Sequence, residues 1–168
     1  MANIILIGFM GCGKSSIGRF MSTKGYKLID TDSYIEEREN RKIKDIFETD
    51  GEEYFRDCET AILKEILADG NDNYVIAVGG GLPMREENRL LLHKLGKVVY
   101  LKASVASLMS RLKGDSKRPL LQGKSLEERI RELMNLREST YESVSDVIVS
   151  TDGRSFERIY SIIEQKIR

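Results

Sequence analysis

One octapeptide constrains this chain more than anything else in it: Gly8-Phe9-Met10-Gly11-Cys12-Gly13-Lys14-Ser15 fits G-x-x-x-x-G-K-[ST] without a gap. The apolar run Ile4 to Ile7 precedes it and reads as a strand buried on both sides. From Lys14 onward Ile17, Phe20 and Met21 recur at helical spacing, with Gly25 suited to close the helix. A strand, a glycine-rich turn and a helix in that order form a phosphate cradle. Glycine lets the backbone curl so that successive N–H groups face phosphate oxygens, and the helix start adds its positive end. Lys14 supplies a point charge for the β- and γ-phosphates of ATP, and Ser15 a hydroxyl for Mg²⁺. Gly11, Cys12, Gly13 and Ser16 complete the nucleotide-side candidates, Cys12 as a small side chain whose backbone N–H binds.

Such a loop establishes nucleotide binding and not what the nucleotide is for. The N-K-x-D guanine reader of GTPase switches is absent from the sequence. A compact kinase of a small molecule is the leading inference. A non-catalytic nucleotide-binding module is the reading from another class.

Downstream, strands alternate with helices, which implies a parallel sheet covered on both faces. Strands are expected at Tyr26 to Ile29, Tyr74 to Val78, Val98 to Leu101 and Val147 to Val149. Ser33 with Glu36 suggests a capping-box helix start. Further helices are expected over Glu52 to Ala68, Arg85 to Leu95, Val105 to Leu112, Leu126 to Tyr141 and Phe156 to Ile167. Lys113 to Lys124 has no periodicity and carries Gly114, Pro119 and Gly123, as a mobile lid would. The expected fold is therefore α/β: a five-stranded parallel sheet flanked by helices in three layers, a single kinase domain over 1–168 with a lid at about 113–124. Ligands of such sheets sit beyond the carboxyl ends of the strands, where Gly8, Asp30 and Gly79 all fall.

Candidates for the acceptor side come from separate segments. In Asp30-Thr31-Asp32, alternation at a strand end would send the carboxylates to opposite sides. One could then hold the water shell of Mg²⁺ while the other takes the proton of an attacking hydroxyl. A helix cap is the plainer use of the same residues. Arg56 and Glu59 stand three apart on a helix, either as a surface pair or as a guanidinium fork held for an anionic substrate. Gly79-Gly80-Gly81 after an apolar strand permits close approach of backbone to ligand. Arg118, in the lid, could swing over the phosphates and exclude water. Arg137, with Tyr141 on its helical face, is a second anion clamp, and Arg111 could stack on adenine.

Composition narrows the partners. Lys and Arg total 27 and so do Asp and Glu, leaving no basic excess for nucleic acid or a membrane surface. No apolar run reaches membrane-spanning length, and Cys12 and Cys58 alone make no disulfide framework. A cytoplasmic protein follows as the expectation, and a monomer is expected beside it.

Taken in order, the octapeptide, Asp30-Thr31-Asp32, Phe55-Arg56 with Glu59, Gly79-Gly80-Gly81, Arg118-Pro119-Leu120 and Arg137 with Tyr141 resemble the shikimate kinase family across nearly the whole chain. The resemblance implies phosphorylation of the 3-hydroxyl of shikimate by ATP and Mg²⁺, in the pathway to chorismate and aromatic amino acids, and a strand order of 2-3-1-4-5. It also implies that Asp32 engages substrate hydroxyls as base and that Asp30 holds Mg²⁺ through water. Arg56 and Arg137 would bind the substrate carboxylate, Gly79, Gly80 and Gly81 would line the ring, and Arg118 would contact the phosphates. Substrate-binding helices would fall at about 31–61. The loop Thr151-Asp152-Gly153-Arg154-Ser155 departs from the family in lacking the proline that packs on adenine. Arg154 is then the nucleotide-side candidate there.

Overall fold

The computed structural model describes residues 2–113 and 125–168. The lid expected at 113–124, apart from Lys113, lies outside these residues, and Arg118 with it. Five parallel strands stand in the order β2-β3-β1-β4-β5: β1 (Ile4–Ile7), β2 (Lys27–Asp30), β3 (Tyr74–Ala77), β4 (Lys97–Lys102) and β5 (Val147–Ser150). This is the implied order. The central strand pairs Ile5 with Ile76 of β3 on one side and with Val98 of β4 on the other. All four of its side chains are fully buried, which is why it reads as an unbroken apolar run and not as an alternation.

Handedness fixes the layers. The chain leaves β1 through α1 (Lys14–Ser22) towards β2, but moves in the opposite direction from β3 through α5 (Glu86–Leu95) to β4. Right-handed crossovers taken in opposite directions lie on opposite faces. The closing helix α8 (Phe156–Ile167) returns to pack on α1, while α7 (Leu126–Val144) and α5 contact β4. Because β1 and β3 are neighbours whose loops run to opposite faces, a crevice opens between their carboxyl ends. The phosphate loop and the glycine triplet emerge there side by side.

Several boundaries differ from the sequence expectation. Helix α2 (Thr31–Glu39) begins before Ser33, because the Asp30 side chain accepts the Ser33 amide and is itself the cap. Glu36 does not close a capping box; its carboxylate accepts the Ile43 amide. Helix α1 is capped at Thr23, before Gly25. A short helix that periodicity did not single out, α3 (Ile43–Asp50), lies between α2 and α4 (Glu52–Asp69), within the helical region implied at about 31–61. It packs on α4, with Phe47 and Phe55 rings 5.3 Å apart. The remaining helix, α6 (Val105–Leu112), leads from β4 to the undescribed segment.

Candidate active site

The loop after β1 has the backbone its glycines predict. Gly11 and Gly13 take φ of 82° and 101°, the left-handed region that favours glycine. No side chain caps α1, so its first amides keep their hydrogen-bonding capacity for a ligand. Lys14 Nζ donates to the carbonyls of Gly8 at 2.8 Å and Phe9 at 3.0 Å, so the ammonium sits in the mouth of its own loop. Ser15 Oγ hydrogen-bonds Asp30 Oδ2. Arg111, from α6, reaches across to donate to the Gly11 carbonyl at 3.2 Å. Its guanidinium thus lies against the phosphate loop. Cys12 is buried beneath the loop.

Asp30 and Asp32 do not diverge as a strand end would make them. Asp30 ends β2, Asp32 already belongs to the first turn of α2, and the change of backbone at the cap turns both towards one cleft. That cleft, about 610 Å³, is also lined by Gly11, Gly13, Lys14, Ser15, Ser16, Arg56, Gly79, Gly80, Gly81, Arg111 and Arg137. Cys12 and Arg154 are not among its walls. The Arg154 guanidinium turns back to the Ser150 carbonyl at 3.0 Å.

On the acceptor side the glycine triplet is required for space and not for conformation. None of its members has positive φ. A Cβ on Gly79 would stand 2.8 Å from both Asp32 Oδ1 and Glu59 Oε2. One on Gly81 would meet the Arg56 guanidinium at 2.6 Å, and one on Gly80 would meet Arg137 Nη1 at 3.2 Å and the Met10 amide nitrogen at 3.3 Å. Charged side chains from three helices therefore press on a strip of bare backbone, and Gly80 abuts the phosphate loop. Two hydrogen bonds hold the strip: the Gly79 amide donates to Thr31 Oγ1 at 3.1 Å, and Tyr141 donates to the Gly80 carbonyl at 2.5 Å.

The charges around it are buried. Arg56 Nη1 donates to Glu59 Oε1 at 2.7 Å, and Glu52 at the rim takes the other edge of the guanidinium at 3.2 Å. Glu59 is 0% exposed and Arg137 5%. Each keeps one buried atom, Glu59 Oε2 and Arg137 Nη1, without a hydrogen-bond partner. Unsatisfied polar atoms at such depth are costly, and their presence beside a cleft marks where a ligand can supply the missing partner. Burial pushes the Glu59 carboxyl up to about 7, against the opposing pull of Arg56. Phe47, Phe55 and Ile43 give this side an apolar wall. The sequence reading missed that wall, since Phe47 belongs to the helix that periodicity did not single out.

Ser15 and Asp30 offer adjacent hard oxygen donors next to the phosphate loop, which suits Mg²⁺. Among the described residues no group of three or more His, Cys, Asp or Glu could hold a metal ion by itself.

A phosphate cradle at the switch point of a 2-3-1-4-5 parallel sheet, facing buried acid and guanidinium groups across one cleft, defines a P-loop phosphotransferase of a small acceptor. Comparison with known proteins narrows the class. The family profile described as shikimate kinase matches residues 10–168. The shikimate kinase of Persephonella marina is 40% identical over the full length of both chains. That of Pseudomonas paraeruginosa is 42% identical over 100% of this chain and 97% of its own. Among solved structures, shikimate kinase from Acinetobacter baumannii in complex with shikimate superposes with a TM-score of 0.93 at 34% identity, covering 98% of this chain and 92% of the other. The chain belongs to the shikimate kinase family.

Proposed function

We propose that the protein transfers the γ-phosphoryl of ATP to the 3-hydroxyl of shikimate, giving shikimate 3-phosphate for the pathway to chorismate and the aromatic amino acids. The observation that carries this reading is the unpartnered, buried Nη1 of Arg137, which abuts Gly80 next to the phosphate loop while Arg56 abuts Gly81 on the same glycine strip. A small carboxylic acid supplies the acceptor oxygen that Arg137 Nη1 lacks, and its ring lies along backbone where no Cβ intrudes. The A. baumannii relative that shares this fold was solved with shikimate bound.

In this reading the loop amides from Gly11 to Ser16 and the Lys14 ammonium bind the phosphates and offset the charge that develops on the transferring group. Lys14 moves from the Gly8 and Phe9 carbonyls to the phosphate oxygens. Ser15 and Asp30 would hold Mg²⁺, which would offset phosphate charge. Asp32 orients the attacking hydroxyl and takes its proton late in the transfer. Arg111 covers the loop from the α6 side. Arg118, which lies outside the described residues, contacts the phosphates in this reading. The one domain works as a monomer in the cytoplasm, and its equal numbers of 27 basic and 27 acidic residues support a reading without nucleic-acid or membrane partners.

The decisive experiment is an acceptor screen by coupled ADP release with ATP and Mg²⁺. Shikimate should support turnover, and nucleoside monophosphates and sugar acids should not. Comparable rates with a nucleoside monophosphate would replace shikimate as the substrate. No acceptor-dependent turnover would make the protein a binding module.

A further inference from the structure

The acceptor half of the cleft is already charge-balanced before any acid enters it. The groups facing Glu59 are Arg56 from its own helix, Asp32 from α2 and Arg137 from α7, with only backbone of Gly79 from the strand side. Two guanidiniums thus offset two carboxylates, and Glu52, which touches Arg56 from the rim, is half exposed to water. A substrate carboxylate adds a third negative charge to this buried set. It also competes for the Arg56 guanidinium, whose Nη1 now holds Glu59 Oε1, while Glu59 Oε2 has no partner of its own.

A buried site of low dielectric tolerates such an excess poorly, and the cheapest remedy is to neutralise one carboxylate. Both carboxylates line the cleft, but Asp32 is partly exposed whereas Glu59 is fully buried. We propose that Glu59 determines how this site accepts an acid: the substrate carboxylate binds together with one proton from solvent, which forms an O–H bond on Glu59 while Arg56 and Arg137 turn to the substrate. Nothing else is transferred in the step. Oε2, which has no partner in the free protein, then carries the proton while Oε1 is released from Arg56, and the site's net charge is unchanged by binding. The inference rests on the proposed shikimate reading. Its pH consequence has a definite sign. Uptake of a proton means that affinity for shikimate falls as pH rises, by up to about tenfold per unit once Glu59 is ionised in the free protein. The carboxyl already sits at about 7 in the free protein, so the fall begins near neutrality. ATP, bound at the phosphate loop, shows no such Glu59-dependent slope.

Isothermal titration of shikimate into the full chain at pH 7.5, in phosphate and in Tris, measures the proton count directly. The expected result is uptake of about half a proton or more per shikimate in the native protein, lost in Glu59→Gln. An infrared difference spectrum of the native protein, taken with carboxyl-¹³C shikimate, supplies a measure that needs no variant. A new protonated-carboxyl C=O band should appear on binding. Binding without proton uptake, uptake of equal size in Glu59→Gln, or absence of that band overturns the inference and leaves the shikimate reading standing. Failure of shikimate to bind at all overturns both.

Discussion

The two banks of the cleft use glycine for opposite reasons. In the phosphate loop, Gly11 and Gly13 are needed for backbone angles that side chains resist, and neighbours in sequence make the site. In the triplet at Gly79 to Gly81, angles are ordinary and the requirement is room, because Asp32, Arg56, Glu59 and Arg137 converge on it from three helices. One bank is written locally, the other is assembled by the fold. A nucleotide site of the first kind can be carried between proteins as a short segment. An acceptor site of the second kind changes whenever a packed helix moves, which is how one fold can host many acceptors.

The largest effects should come from the groups that act on the reacting atoms from each bank. Lys14→Ala removes charge from the transferring phosphoryl and should lower kcat/KM by about 10²- to 10³-fold. Asp32→Asn should lower kcat by on the order of 10² or more with ATP affinity little changed. Steady-state kinetics with each substrate varied separates the two. Near-normal kcat in Asp32→Asn would remove that residue from the base role. Next in size is Arg137→Ala. Losing a buried guanidinium that has an atom to spare for the acid should raise the KM for shikimate about 10- to 100-fold, while the KM for ATP stays near its native value. Equal rises in both would mean that the banks are not separable.

A direct contrast of the glycines sharpens the comparison further. Gly13→Ala places a side chain at φ of 101° and should weaken ATP binding about tenfold through loop strain. Gly79→Ala keeps an allowed backbone but sets a methyl 2.8 Å from two carboxylate oxygens, and should weaken shikimate binding about tenfold instead. Titration of each variant with each ligand checks the crossing pattern. If Gly79→Ala impairs ATP and spares shikimate, space is not what the triplet provides.

The same contrast explains what could be read before the fold was known. The octapeptide was legible because strand, turn and helix are consecutive and their chemistry is fixed by spacing alone. The strands were legible because the buried ones, such as Ile4–Ile7 and Lys97–Lys102, are short runs rich in Ile and Val. Asp30-Thr31-Asp32-Ser33 offered several competing caps in a row, so the helix start was misplaced and with it the direction of the two carboxylates. Helix α3 buries only Ile46 fully and spans Ile43–Asp50, too short for periodicity to announce it. That omission hid Phe47 and the apolar wall. Arg56, Glu59 and Arg137 could be nominated from type and spacing, but their burial and the lone Oε2 and Nη1 atoms arise only when α4 and α7 meet the glycine strip. The order of motifs, not any one of them, carried the acceptor side.

The smallest expected effect tests where the nucleotide bank ends. Sequence places Arg154 in the loop after β5 among the nucleotide candidates, at the point where the family's proline is missing. Its guanidinium instead closes back on the Ser150 carbonyl at 3.0 Å, and the residue is exposed and absent from the cleft wall. Removing an exposed side chain of this kind changes free energies by about half a kcal/mol or less, which corresponds to roughly twofold in affinity. Arg154→Ala should therefore leave the KM for ATP within about twofold of native, whereas Arg111→Ala, which strips the guanidinium from the Gly11 carbonyl, should raise it more. The two variants differ in one respect that matters: Arg111 is fastened to the locally written loop, and Arg154 to the end of a strand beyond it. A rise of tenfold or more in Arg154→Ala would show that the β5–α8 loop folds over the nucleotide. The nucleotide bank would then, like the acceptor bank, be partly assembled from distant segments.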